Sequence, residues 1–307
     1  MQYEVYKSWN KSITNGDQTL ARKTTYKIKQ LKESGKKIVM LTAYDAPTAS
    51  ILSECGVDMI LVGDSVGNAL LGYESTIPVT LDDVIHHSAA VARAKPDSLI
   101  IGDMPFMSYK VSIEQALENC ALMLQEGGAE AVKIEGASKR VVDIVRAVVD
   151  SGIPVMGHIG LTPQSIFQLG GYRVQGRTAE LTEALVEQAK ALEEAGAFSI
   201  VIELVPSETA KRITESIGIP TIGIGAGPHC DGQVLVLWDM LGLFEDFKPK
   251  FLKKYANIRT VIKEAVNEYS EEVRKGEFPD SEHSFEMSEE ETGRLYGRTK
   301  PSRQRAS

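Results

Sequence analysis

Short apolar runs alternate along the chain with segments whose apolar residues recur every three or four positions. The runs are KIVMLTAYD (37–45), VDMILVGDS (57–65), SLIIGDMPF (98–106) and AEAVKIEG (129–136). They continue with IPVMGHIG (153–160), AFSIVIELV (197–205), IPTIGIGAG (219–227) and VLVLWDMLG (234–242). Helical patterns lie between most of them. TLDDVIHHSAAVARAK opens on Thr80 with Asp83 three residues on, the pattern of a capping box. SIEQALENCALMLQEGG ends on glycines, and TAELTEALVEQAKALEEAGA on Gly196, both usual helix stops. Apolar runs separated by helices predict parallel βαβ units. Eight such units predict an α/β chain folded as a (β/α)8 TIM-type barrel. An open doubly wound sheet is the alternative, but no glycine-rich dinucleotide fingerprint opens a helix after the first run. The GIGAG glycines come late and read as a tight turn rather than a phosphate loop.

The ends differ from the middle. The stretch up to about Gly35 is polar and basic, and no core role is expected of it. The tail after Phe285, EMSEEETGRLYGRTKPSRQRAS, is charged and poor in apolar residues, as solvated segments are. The expectation is a single domain over 1–307, with a barrel core at about 24–285, an N-terminal extension (1–23) and a charged tail (286–307).

Composition narrows the class. With 43% hydrophobic and 25% charged residues, the 307-residue chain is ordinary globular material. A formal net charge of −8 argues against a nucleic-acid partner. No apolar run reaches the length of a membrane helix, so no membrane association is expected. The N-terminus lacks the apolar core of a secretory signal. Cys55, Cys120 and Cys230 are odd in number and widely spaced, neither a disulfide framework nor a zinc pattern. A cytoplasmic location is the expectation.

The chemistry sits where the runs end. In VKIEG, Lys133 and Glu135 are two apart and so share one face of a strand. Burying either charge unpaired costs several kcal/mol. The other runs end similarly: at Asp64 and Ser65, at Asp103, at His158 and at Glu203. In a (β/α)8 barrel these ends converge on one rim, where active sites are built. Four carboxylates against one lysine and one histidine leave excess negative charge, which a hard divalent cation would relieve. Oxygen donors favour Mg²⁺ or Mn²⁺, and Mg²⁺ keeps open positions for substrate oxygens. A metal polarising a carbonyl, Lys133 as a point charge for a carboxylate and a remaining carboxylate as base together describe proton abstraction α to a carbonyl, on a small keto acid. Each residue has a plainer reading: loop caps for Asp64 and Asp103, a structural pair for Lys133 and Glu135, a packed core residue for His158, a salt-bridge partner for Glu203. His86 and His87 lie mid-helix and read as no joint metal site. His229 and Cys230 fall in a rim loop, as ligand contacts or as loop structure.

The ordered blocks KIVMLTAYDAPTA, LVGDSVGN, STIPVTLDDVIHHSAAVARA, GDMPFMSY, VKIEG, GHIGLTPQS, GGYRVQGR, IELVPSETAKRIT, IGIGAGPHCDGQVLV and FPDSEHSF resemble the ketopantoate hydroxymethyltransferase family. They span roughly residues 24–285. The resemblance implies a barrel of the phosphoenolpyruvate mutase and isocitrate lyase superfamily. It implies transfer of a hydroxymethyl group from 5,10-methylenetetrahydrofolate to 3-methyl-2-oxobutanoate, giving 2-dehydropantoate, in pantothenate and coenzyme A biosynthesis. It also implies one Mg²⁺ per subunit and a homo-oligomer, commonly a decamer. The family's metal positions fall on Asp64, Asp103 and Glu135, its substrate contacts on Asp64, Ser65, Asp103 and Lys133, and its proton acceptor on Glu203. Ile159, Leu204 and Arg173 stand where leucine, cysteine and lysine are more usual, and none of these changes removes a charged or ligating group. Two rivals remain. One is another keto-acid carbon–carbon lyase or mutase of the superfamily, whose usual KKCGH-type cysteine loop is absent. The other is a metabolite-binding barrel without catalysis.

Overall fold

Eight parallel strands close into a barrel in the computed structural model, which describes residues 22–245 and 248–297. In chain order the strands are β1 (Ile38–Thr42), β2 (Met59–Val62), β3 (Leu99–Asp103), β4 (Ala131–Glu135), β5 (Val155–Gly160), β6 (Ser199–Glu203), β7 (Thr221–Ile224) and β8 (Gly232–Leu235). Each pairs in parallel with the next, and β8 pairs back onto β1. The barrel is the TIM type the sequence predicts.

Helices α1 (Thr25–Glu33), α2 (Ala46–Glu54), α3 (Leu81–Arg93), α4 (Ile113–Gln125) and α5 (Lys139–Asp150) belong to the first half of the chain. The short α6 (Ile166–Leu169), then α7 (Ala179–Glu194), α8 (Ser207–Ser216) and the one-turn α9 (Leu237–Met240) follow. The capping box forms at α3: Asp83 N donates to Thr80 Oγ1 at 3.2 Å, and Thr80 N returns to Asp83 Oδ2 at 2.9 Å.

Successive strand residues point to opposite faces, so the core has two parts. The outward set, including Ile60, Val62, Ile100, Val132, Ile134, Ile200 and Ile202, packs on the helices. The inward set, including Met40, Met59, Leu61, Leu99, Ile101, Ala131, Met156, Val201, Ile222 and Val234, fills the barrel.

Two expectations need correction. The N-terminal stretch does take part in the core: α1 places Ile28, 0% exposed, against the inward set. Two lysines hold it there. Lys23 pairs with Asp58 at 3.0 Å, and Lys32 pairs with Asp231 at 3.0 Å while donating to the Ile217 and Ile219 carbonyls. Ile28 and the partly buried Leu31 are the only aliphatic residues of this nine-residue helix, too few for a readable period. The eighth run also shifts. β8 lies at Gly232–Leu235, and Leu237–Met240 turns as helix. An unbroken apolar run does not separate strand from buried helix. Residues 225–231 join β7 to β8 without a helix.

Contacts divide the chain after Tyr255. The second unit holds α10 (Ile258–Lys275), which Gly276 ends with φ +74°, and α11 (Glu289–Leu295). No helix among the described residues is long and apolar enough to cross a membrane.

Candidate active site

Along the inward faces, apolar residues give way to charge. β3 runs Leu99, Ile101, Asp103; β4 runs Ala131, Lys133, Glu135; β5 runs Met156, His158; β6 runs Val201, Glu203. The register sets Asp103 beside Lys133 and Glu135 beside His158. Cross-strand neighbours on one face lie within side-chain reach, and here they bond. Lys133 Nζ donates to Asp103 Oδ1 at 2.6 Å and lies 3.5 Å from Glu135 Oε1. His158 Nδ1 is 3.2 Å from Glu135 Oε1. On its other side His158 Nε2 faces Glu203 Oε2 at 3.1 Å, in charge contact but off the line of a hydrogen bond.

Asp64 and Ser65 arrive differently. β2 ends at Val62, so both lie in the loop beyond it. Asp64 N donates to Asp103 Oδ2 at 3.3 Å. Gly63 leaves room for Ser65, since a Cβ there would sit a tight 3.0 Å from Ser65 Oγ. Ser65 Oγ shares a 2.9 Å hydrogen bond with the Tyr44 hydroxyl.

Three polar residues that sequence reasoning left without a role complete the site. Gln164 Nε2 donates to Asp64 Oδ2 at 3.0 Å and to the Met104 carbonyl at 2.9 Å. Its backbone N–H donates to Glu135 Oε2 at 3.2 Å. The Tyr109 hydroxyl donates to the Glu135 carbonyl at 2.9 Å and also lies 3.1 Å from Gln164 Oε1. Tyr44 holds Ser65. All three stand in the recognised blocks, but an uncharged side chain gives no signal of an unbalanced charge.

Asp64, Asp103, Glu135, Lys133 and His158 are at most 4% exposed, whereas the Glu203 side chain is 19% exposed. Burial, then the charges of Asp103 and Glu135, hold the Asp64 carboxyl well above its ordinary range. Burial also raises Asp103, and Lys133 only partly offsets it. Burial pushes Glu135 upward too, but Lys133 and His158 outweigh it and hold Glu135 at about 2. Burial alone would discharge Lys133, yet Asp103 and Glu135 keep it charged, with its pKa above the ordinary value. His158 behaves alike: Glu135 overcomes burial and lifts it to about 9.

Asp64, Asp103 and Glu135 each offer a carboxylate oxygen, all within 4.8 Å of one another. Two of the three resist ionisation for want of positive charge, and all the donors are hard oxygens. That set fits a hard divalent cation. The remaining histidines stand apart. His87 Nδ1 lies 2.7 Å from the Tyr44 carbonyl, with the His86 ring edge-on to it. His229 is exposed, and Cys230 is buried beneath the β7–β8 loop.

Comparison with known proteins gives the family of the chain. The family model described as ketopantoate hydroxymethyltransferase matches residues 22–281. A Syntrophomonas wolfei protein named 3-methyl-2-oxobutanoate hydroxymethyltransferase is 54% identical over 277 residues, 90% of this chain and 100% of its own. One of the same name from Thermoanaerobacter sp. strain X514 is 55% identical over 268 residues, 87% and 97% of the two chains. Among solved structures, a 2,3-dimethylmalate lyase of the PEP mutase/isocitrate lyase superfamily aligns with a TM-score of 0.53 at 16% identity, covering 89% of this chain and 94% of its own.

Proposed function

The chain belongs to the ketopantoate hydroxymethyltransferase family, and from that premise we propose that it transfers a hydroxymethyl group from 5,10-methylenetetrahydrofolate to 3-methyl-2-oxobutanoate, giving 2-dehydropantoate. The reaction serves pantothenate and coenzyme A biosynthesis. Its balance consumes one water. The water oxygen ends on the new CH₂OH group, and the two folate nitrogens recover hydrogen from C3–H and from water.

The observation that carries the assignment is a division of labour among four carboxylates. Asp64, Asp103 and Glu135 are buried and clustered, whereas Glu203 stands apart across His158 and is open to the mouth. Asp64, Asp103 and Glu135 would hold Mg²⁺, which when bound polarises the keto oxygen. Lys133 supplies the fixed positive charge for the substrate carboxylate, with Asp64, Ser65 and Asp103 lining the same space. Glu203 takes the C3 proton as general base. His158, between Glu135 and Glu203, fixes the orientation of that base.

The same proposal includes a homo-oligomer, the decamer the resemblance implies. Val261, Ile262, Val266, Tyr269 and Val273 of α10, each 45% exposed or more among the described residues, support it as an exposed apolar face. It also includes a cytoplasmic location, where the free Cys55, Cys120 and Cys230 stay reduced.

The test is deuterium exchange at C3 of 3-methyl-2-oxobutanoate in heavy water with Mg²⁺ and no folate. The parent exchanges, and chelator abolishes it. Glu203→Gln binds the keto acid but exchanges about 10²–10⁴-fold more slowly. Exchange at the parental rate in the variant removes Glu203 from the role of base.

A further inference from the structure

Tyr44 is a large, fully buried side chain whose one polar atom ends at a residue of the candidate site. It stands two residues past β1 and just before Asp45, the cap of α2. Its backbone is pinned from three sides. Ala43 N donates to the Leu61 carbonyl of β2 at 3.1 Å, and Asp45 Oδ1 accepts from Thr48 N at 2.8 Å. His87 of α3 meets the Tyr44 carbonyl at 2.7 Å through Nδ1. A carbonyl only accepts, so Nδ1 is the donor there. From this held backbone the phenol reaches Ser65 Oγ, 2.9 Å away.

Ser65 Oγ stands at the acidic layer. A Cβ placed on Gly63 would lie 3.0 Å from Ser65 Oγ and 3.4 Å from Asp103 Oδ2, so the two oxygens flank one point. Ser65 is half-buried, whereas Tyr44 is 1% exposed. Either hydroxyl could donate across the bond between them. A buried O–H that finds no acceptor loses its hydration for nothing, and Ser65 Oγ is the acceptor at hydrogen-bond distance. The other polar neighbour, Thr42, already takes the Leu237 N–H on its Oγ1 at 3.1 Å. Tyr44 therefore donates to Ser65. Burial lifts the phenol to about 12, so its proton stays in place near neutral pH. Ser65 accepts on one lone pair and keeps its own proton to give elsewhere.

We infer that Tyr44 is a positioning residue for keto-acid recognition: it holds the Ser65 hydroxyl so that the serine proton is offered to the substrate carboxylate. This rests on the reading that Ser65 contacts the keto acid. An unheld serine samples three staggered χ1 wells and turns its O–H freely. Fixing both before the substrate arrives takes that ordering out of the cost of binding. The surroundings make the direction matter. An anion entering beside Asp64 and Asp103 needs donors, and the Lys133 ammonium is already directed at Asp103 and Glu135. A serine whose acceptor side is engaged by Tyr44 meets that anion proton first.

The experiment is a double-mutant cycle of Tyr44→Phe and Ser65→Ala. It is read by calorimetric titration of 3-methyl-2-oxobutanoate into the protein with Mg²⁺, and by turnover with each substrate varied. Phenylalanine keeps the buried ring and removes only the hydroxyl. Tyr44→Phe should weaken keto-acid binding about three- to tenfold, the usual worth of one hydrogen bond. In the Ser65→Ala background the same substitution should change it by less than about twofold, and the folate KM should also stay within about twofold of the parent. Parent-like keto-acid binding in Tyr44→Phe overturns the inference and leaves the proposed reaction standing. An equal loss with and without the Ser65 hydroxyl also overturns it, since the phenol would then act by another route. A parent that neither binds the keto acid nor turns over overturns the proposed reaction itself, and this inference with it.

Discussion

Lys133→Met tests the charge balance on which the site is built. Lys133 is 4% exposed, and its two carboxylate partners, Asp103 and Glu135, are each 1% exposed. Its ammonium bonds Asp103 at 2.6 Å and approaches Glu135 at 3.5 Å. Methionine keeps most of the stem volume and removes only the charge. Removing one partner of a buried ion pair costs about 3–5 kcal/mol, because the other charge is left without compensation. In a domain of this size each kcal/mol moves Tm by about 2–4 °C. The variant should therefore melt roughly 6–20 °C below the parent in chelator.

A divalent cation should return much of that loss. The lysine and the metal compete for the same negative charge, so deleting the lysine makes Asp64, Asp103 and Glu135 a stronger cation site. Saturation at about 100 times Kd is worth about 2.7 kcal/mol. Mg²⁺ should then raise Tm by several degrees more in the variant than in the parent. The assay is thermal unfolding followed by far-UV circular dichroism, with chelator and across a Mg²⁺ series. Two results refute the reasoning: a variant that melts like the parent in chelator, or one that gains no more from Mg²⁺ than the parent does.

Two further predictions test the frame. Asp239 on α9 is raised from 3.8 to about 6 by burial, with Lys254 pulling it back. A carboxyl raised on folding adds stability below pH 3.8 that is lost as pH rises through 6. Asp239→Asn should therefore raise the unfolding free energy in urea at pH 8, by about 1 kcal/mol after allowance for solvent screening, and leave it nearly unchanged at about pH 3, below the unfolded value; an equal gain at both pH values refutes this. Ile28→Ala in α1 should cost about 2–5 kcal/mol of stability in urea unfolding, as buried isoleucine truncations do, whereas Tyr26→Ala, at a 70% exposed site, should cost under about 0.5 kcal/mol.

Much of the barrel was legible because each strand obeys a simple rule. Leu99, Ile101 and Asp103 share a face, as do Ala131, Lys133 and Glu135, so a charge two positions beyond an apolar residue reads as the top of the same wall. What resisted reading was whatever depends on a distant partner. Ile28 is buried because α1 lies against β1 and the inward set, and a nine-residue helix with only Ile28 and Leu31 as aliphatic residues shows too short a period to read. Gln164 and Tyr109 carry no charge, so their roles appear only when Asp64, Glu135 and the Met104 carbonyl stand around them. Asp64 was attached to a strand end, but it stands two residues past one, because LVGD runs apolar into the turn without a polar marker.

That last displacement has a consequence. Asp103, Glu135, His158 and Glu203 inherit their positions from a hydrogen-bonded wall, so neighbouring register alone fixes their spacing. Asp64 belongs to a loop and has no such inheritance. Gln164 supplies the missing constraint. Its side chain holds Asp64 and the Met104 carbonyl just past β3, and its own backbone holds Glu135 on β4. One buried amide thus references the loop carboxylate to the ends of the neighbouring β3 and of β4. A carboxylate so held stays beside Asp103 and Glu135, to which the Lys133 ammonium is directed. The crowding is relieved by protons at Asp64 and Asp103, whose carboxyls are raised, and a cation that takes their place meets donors already in position.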